Sequence, residues 1–189
     1  MKNNAFVIHG SFGSPFENWF PSLHKRLCAN DWTAIVPHFP SPQGQTFLSW
    51  CAILDSYRQA RILTDKSVFI CHSSASPFVL KYAVRKQLNF RGLVTVSGFN
   101  NFYSGDEEFD KINSEFYQET QELLLASRHF DKKYSYFSND DPYLPFGVLE
   151  SFSKAIGSTK FIRTNAGHFN TRSGYDSFDE IAELLINSF

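Results

Sequence analysis

Four short segments carry residues able to do covalent chemistry, and each follows an apolar run. His9-Gly10-Ser11-Phe12-Gly13 comes after Ala5–Ile8, and His72-Ser73-Ser74-Ala75-Ser76-Pro77 after Val68–Cys71. Ser138-Asn139-Asp140-Asp141 comes after Tyr134–Phe137, and Asn165-Ala166-Gly167-His168 after Lys160–Arg163. A hydroxyl, a carboxylate and an imidazole therefore occur in that chain order, as in a Ser…Asp…His nucleophilic site. In open α/β sheets ligands bind beyond the carboxyl ends of the strands, where these segments would lie.

Sterics choose among the serines. A nucleophile on a tight strand-to-helix turn needs small residues two before and two after it. Ser73 has Cys71 and Ala75; Ser74 follows the bulky His72 by two, and Ser76 precedes Phe78 by two. Ser73 is the expected nucleophile, in a relaxed G-x-S-x-G pattern. Pro77 suits the first turn of the helix that follows, where its missing N–H costs little. Cys71 is a rival nucleophile, but it occupies the packing position before the turn. Of the two carboxylates, Asp141 is expected to face the imidazole, because Pro142-Tyr143-Leu144-Pro145 closes a turn behind it, and Asp140 to cap or stay solvated. Among six histidines, His24 and His129 read as surface residues and His38 ends the second strand. His9 and His72 line the site or lie buried. His168, after Gly167, is the expected general base. Two backbone N–H groups are needed for an oxyanion; Ser74 supplies one and Ser11 the other, with Phe12 the second choice.

The elements that must position these residues are legible as periodicity. Ala34–Val36 and Leu93–Val96 complete a set of six strand candidates, and the first four in chain order are nearly continuous apolar runs, as in a parallel sheet covered on both faces. Helical stripes lie between them: Trp19/Leu23/Leu27, Phe47/Trp50/Ile53/Leu54/Tyr57, Val79/Leu80/Ala83/Val84, a short helix at Leu123–Leu125, and Val148/Phe152/Ile156 with Gly157 as its cap. Ser177 and Glu180 read as a capping box for a last helix with Phe178, Ile181, Leu184 and Leu185 on its apolar face. Strand-helix alternation throughout predicts an α/β fold with a mostly parallel sheet, in one domain over residues 1–189. Residues 100–121 exceed an ordinary connection and read either as an excursion with a surface helix or as a cap over a pocket.

Composition excludes other classes. Lys+Arg 18 against Asp+Glu 19 gives a formal net charge of -1, without the basic surplus of a nucleic-acid binder. Three cysteines without C-x-x-C spacing argue against a disulfide framework or zinc site. No phosphate loop, H-E-x-x-H or dinucleotide fingerprint occurs, so no metal or cofactor is expected. The apolar run near the N-terminus is too short for a signal-peptide core, and no membrane span is expected. A cytoplasmic protein with a small acyl substrate as its partner is the expectation.

The pieces Ile8-His9-Gly10, Asn18-Trp19-Phe20-Pro21, Cys71-His72-Ser73-Ser74-Ala75, Val96-Ser97-Gly98, Asp140-Asp141-Pro142-Tyr143-Leu144-Pro145-Phe146 and Gly167-His168-Phe169 stand in an order that resembles a known family. It is that of the small serine hydrolases similar to retinoblastoma-binding protein 9 and the bacterial YdeN-like proteins. The resemblance runs over nearly the whole chain. It implies a three-layer α/β-hydrolase core of about six strands in the order 2-1-3-4-5-6, lacking the first two strands of larger members. It also implies carboxylester-type hydrolysis with Ser73, Asp141 and His168 as triad. Phe12, Trp19, Phe99, Tyr143 and Phe169 are candidates for an aromatic acyl pocket, and each equally suits core packing. Cys71 and Ala75 depart from the family elbow, where smaller residues stand. That departure motivates a rival reading, a binding or scaffold protein on the same fold with little turnover.

Overall fold

The apolar runs form strands, and the strands form one sheet. The computed structural model describes residues 3–189. Strands β1 (Asn4–Ile8), β2 (Thr33–Ile35), β3 (Ser67–His72), β4 (Phe90–Val96), β5 (Phe130–Ser138) and β6 (Thr159–Arg163) are all parallel, in the order β2-β1-β3-β4-β5-β6. This is the expected order. The register aligns Ile8 with Cys71, His72 with Val96, Val96 with Tyr136 and Ser138 with Arg163. The carboxyl ends are thus level, and the loops that follow them emerge along one edge.

Side-chain alternation splits each central strand between two cores. Phe6, Ile8, Phe69, Cys71 and Leu93 face α2 (Phe47–Gln59), α3 (Ala75–Lys86), α5 (Thr120–Ser127) and α6 (Phe146–Ala155). Val7, Val68, Ile70, Val94 and Val96 face α1 (Phe20–Cys28) and α7 (Asp179–Ser188). Both faces being covered, all six residues of β3 are buried, which is why its middle, Val68–Cys71, is a continuous apolar run. β4 and β5 begin earlier than their aliphatic runs suggest. Phe90 pairs with Phe130, and both rings pack on Phe69, extending the ladder toward its amino end. Among the described residues, no helix is long and apolar enough to cross a membrane.

One of the two expected caps forms. Gly157, at φ 65, ends α6 with its N–H on the Lys154 carbonyl. The capping box expected at Ser177 does not form. α7 starts from Phe178, which has no side-chain cap, and the Glu180 carboxylate instead binds the Arg163 guanidinium on β6. Phe178 is buried against Trp19 and Tyr136, and that packing sets where α7 begins. Residues 100–121 contain α4 (Glu107–Ser114) and rest on a small third core of Phe99, Tyr117, Phe137, Leu144 and Leu149.

Candidate active site

At the end of β3 the chain turns sharply into α3, and Ser73 occupies the turn at φ 57. A non-glycine residue in that region is strained, and such strain collects at functional sites. The turn is over-determined. The Ser73 N–H donates to the Val96 carbonyl at 2.8 Å, and the Ser73 carbonyl accepts from the Ser76 N–H at 3.0 Å. Cys71 and Ala75, the small flanking residues, are both fully buried, so the departures from glycine fit without opening the turn. Further left-handed residues follow other strands at the same edge: Phe12 after β1, Ser97 after β4, and Asn165, Gly167 and Phe169 after β6.

The imidazole and carboxylate expected from the sequence meet. His168 Nδ1–H donates to Asp141 Oδ2 at 2.8 Å. Asp141 Oδ2 also accepts from the Ser97 hydroxyl at 2.9 Å, and Oδ1 accepts the Tyr143 and Leu144 N–H groups at 3.0 and 3.2 Å. Burial by itself would raise the Asp141 carboxyl. The His168 hydrogen bond and charge, with the Tyr143 and Ser97 donors, outweigh it and hold the group below its usual range. A proton on Nδ1 leaves Nε2 as the basic nitrogen. Asp140 does cap: its Oδ1 accepts the Ala166 and Gly167 N–H groups, each at 3.1 Å, and so fixes the loop that carries His168.

Two supports were not assigned from the sequence. His72 Nε2–H donates to the His168 carbonyl at 2.8 Å, beneath the ring of His168 at 4.8 Å. Burial, then the neighbouring His168, push the His72 imidazole down to about 3, so it stays neutral. His9 Nδ1–H donates to the Gly10 carbonyl at 2.8 Å, and Nε2 accepts the Phe39 N–H at 3.0 Å. Burial pushes His9 to about 4. Both rings brace loops. The sequence signal for that role was only their place at strand ends. His24 is exposed as expected, while His129 is half-buried with its ring on the Leu88 carbonyl.

A cleft of about 870 Å³ opens over these residues, with His72, Ser73 and His168 in its wall. The turn after β1 and residues Phe102, Ser104, Asp106 and Phe109 of the 100–121 segment also line it. Phe12 and Tyr143 stand at its mouth, about half exposed, and the Tyr143 ring meets His168 edge-on at 5.1 Å. Three expected pocket residues lie elsewhere. Trp19 and Phe169 are fully buried in the α1/α7 core, with Trp19 Nε1–H on the Phe169 carbonyl at 2.9 Å, and Phe99 lies in the core under α4. Proximity to a strand end placed their backbones near the site, but the side chains point into the packing. Cys71 is buried on the α2/α3 face of β3, where burial pushes its thiol well up, so it is no rival nucleophile.

The turn after β1 differs from the expectation of an open donor. The Ser11 N–H donates to Ser74 Oγ at 2.8 Å, and the Phe12 N–H to Ser41 Oγ at 2.6 Å. Gly10 lies directly against the serine: a Cβ there would fall 2.9 Å from Ser73 Cβ and 3.1 Å from the His72 carbonyl oxygen.

Comparison with known proteins gives the family and the fold. The family model described as serine hydrolase matches residues 5–187. The chain belongs to that family. It is 25% identical over 193 residues to the Bacillus subtilis (strain 168) protein named "Putative hydrolase YdeN", covering 100% of this chain and 97% of the relative. The crystal structure of the ydeN gene product from B. subtilis matches with a TM-score of 0.84 at 23% identity, over 98% of this chain and 97% of the other. A structure from work on carboxylesterases of the thaumarchaeon Nitrososphaera gargenis matches with a TM-score of 0.74 at 10% identity, over 98% and 89%. These likenesses establish the α/β-hydrolase fold for this member of the family.

Proposed function

We propose that the protein hydrolyses a small acyl ester, thioester or amide through a covalent acyl-serine intermediate. The observation that carries this reading is that His168, paired with Asp141 at 2.8 Å, stands in one cleft wall with Ser73, itself held at φ 57 on the turn into α3. Ser73 Oγ attacks the acyl carbon and passes its proton to His168 Nε2. Asp141 fixes the tautomer and stabilises the imidazolium. His168 then protonates the leaving group, the acyl group stays on Ser73, and a water activated by the same imidazole releases it as the acid. The Ser74 N–H, at the amino end of α3, and the Ser11 N–H hold the oxyanion. The Ser11 N–H donates to the Ser74 hydroxyl at 2.8 Å in the resting site, and we propose that it shares this proton with the oxyanion as charge develops.

The acyl side meets Phe12, Phe102, Phe109 and Leu144, which favours an apolar acyl group. The test is covalent labelling with a fluorophosphonate, read by intact mass. The wild type is expected to gain one adduct, and Ser73→Ala and His168→Ala none. A folded wild-type protein that stays unlabelled overturns the mechanism and favours a binding protein on this fold.

A further inference from the structure

The strongest unexplained feature is a buried chain of polar side chains running from α4 to the serine turn. Asn113 on α4 is fully buried, as is Ser74, and Gln45 is 5% exposed. Ser11 Oγ–H donates to Asn113 Oδ1 at 2.6 Å and accepts from Gln45 Nε2–H at 2.7 Å. Ser11 Oγ also lies 2.8 Å from Ser74 Oγ. A hydroxyl has one proton and two acceptor sites. The Ser11 proton goes to Asn113, so the Ser74 hydroxyl must be the donor in the contact between the two serines. Ser74 Oγ is then left with lone pairs for the Ser11 N–H at 2.8 Å.

The ends of the chain are fixed too. Asn113 Nδ2–H donates to the Phe109 carbonyl at 2.9 Å, which decides which way its amide points. Gln45 Oε1 accepts from the Ser41 hydroxyl at 2.7 Å, and Ser41 Oγ in turn holds the Phe12 N–H at 2.6 Å. Gln45 Nε2 also donates to the Ile112 carbonyl at 3.3 Å, and each hydroxyl proton of the chain has one destination. Both N–H groups of the turn after β1 are therefore held by hydroxyls whose orientation is set by Asn113 and Gln45.

We propose that Asn113 and Gln45 are positioning residues for the hydrolytic site: they fix the Ser11–Ser74 hydroxyl pair and thereby hold the oxyanion turn against Ser73. The 100–121 segment then completes the site as well as lining it. Removing the Asn113 acceptor frees the Ser11 proton to point back at Ser74 Oγ. The direction of the chain is lost: Ser74 Oγ then accepts from both Ser11 groups, its own proton has no fixed destination, and the Ser11–Ser74 pair no longer holds one arrangement. The inference rests on the Ser73 mechanism proposed above.

A double-mutant cycle on the second-order rate of fluorophosphonate labelling tests it, because phosphonylation also develops an oxyanion. Asn113→Leu and Ser74→Ala are each expected to slow labelling about tenfold, and the double variant by about tenfold again overall rather than about a hundredfold, because both break one chain. For an ester substrate the loss is expected in kcat, with KM little changed, a split that a general loosening of α4 and its cleft residues does not give. Gln45→Leu with Ser74→Ala repeats the cycle from the other end should Asn113→Leu fail to fold. Multiplicative losses, or labelling at the wild-type rate in folded Asn113→Leu, overturn the proposal while leaving the Ser73 mechanism intact. Absence of wild-type labelling at Ser73 overturns both.

Discussion

Gly10→Ala adds one carbon beside the serine without removing any polar group. The new Cβ would lie 2.9 Å from Ser73 Cβ, 3.1 Å from the His72 carbonyl oxygen and 3.5 Å from Ser73 Oγ. Non-bonded carbons rest at about 3.5–4.0 Å, so the two must part by roughly 0.6–1 Å. Neither side yields easily. Ser73 is held at φ 57 with its N–H on the Val96 carbonyl, and the Gly10 carbonyl accepts from the Gly13 N–H and the His9 ring. The displacement therefore falls on the Ser73 side chain or on the turn with the Ser11 N–H. A misplacement of about 1 Å costs on the order of a hundredfold in rate, and kcat/KM on a chromogenic short-chain ester is expected to fall by about that factor. Overpacking should remove about 1–3 kcal/mol of stability, read from urea midpoints. Gly147→Ala is the control, since no atom lies within 4 Å of a Cβ there and the residue sits inside α6. As the second residue of α6 it should gain at most about 0.5 kcal/mol, with activity unchanged. A folded Gly10→Ala variant within about threefold of wild-type kcat/KM would refute the close approach and the reasoning built on it.

His9 and His72 make stability depend on pH. Their folded values, about 4 and about 3, lie below the unfolded 6.5, so their contribution is full above 6.5 and is lost as pH falls toward 4 and then 3. Urea midpoints should drop on acidification below 6.5, with a slope approaching about 1.4 kcal/mol per pH unit for each ring, and His72→Gln should remove about half of it; a flat profile there would contradict the buried neutral rings. Ser76 Oγ is buried with no hydrogen-bond partner among the described residues, so Ser76→Ala should be neutral or raise stability by about 1 kcal/mol, whereas a clear loss in thermal melting would reveal a partner. Cys28 is exposed while Cys51 and Cys71 are buried. Iodoacetamide should therefore add a single group to the native protein and leave hydrolysis intact; loss of activity that tracks modification of Cys71 would reinstate the thiol.

What the sequence discloses here is mostly local. Strand ends, the serine turn and the helix stripes follow from period and from side-chain size within a few residues, and those expectations agree with the fold. Features decided across the chain are less legible. Phe12 and Trp19 both follow β1 closely, yet one stands at the cleft mouth and the other is fully buried, because the direction of a ring depends on what packs behind it. Ser177 and Glu180 have the spacing of a capping box, but Arg163 on the neighbouring strand binds that carboxylate first. The partners of the Ser11 and Phe12 N–H groups, Ser74 and Ser41, lie 63 and 29 residues away, beyond the reach of any spacing rule.

The tandem Asp140-Asp141 shows how the two scales combine. Adjacent carboxylates would repel if they shared one target, and the turn begun by Pro142 lets them diverge. Asp140 takes the backbone N–H groups of Ala166 and Gly167, and Asp141 takes the imidazole of His168. One carboxylate sets where the loop sits and the other sets which nitrogen of its ring holds the proton. His72 adds a third hold, on the carbonyl of the same residue. An imidazole on a loop is thereby fixed at three kinds of atom before substrate arrives. An imidazole preorganised in this way needs little reorganisation as a proton moves, which is what the proposed acyl transfer to Ser73 would require of it.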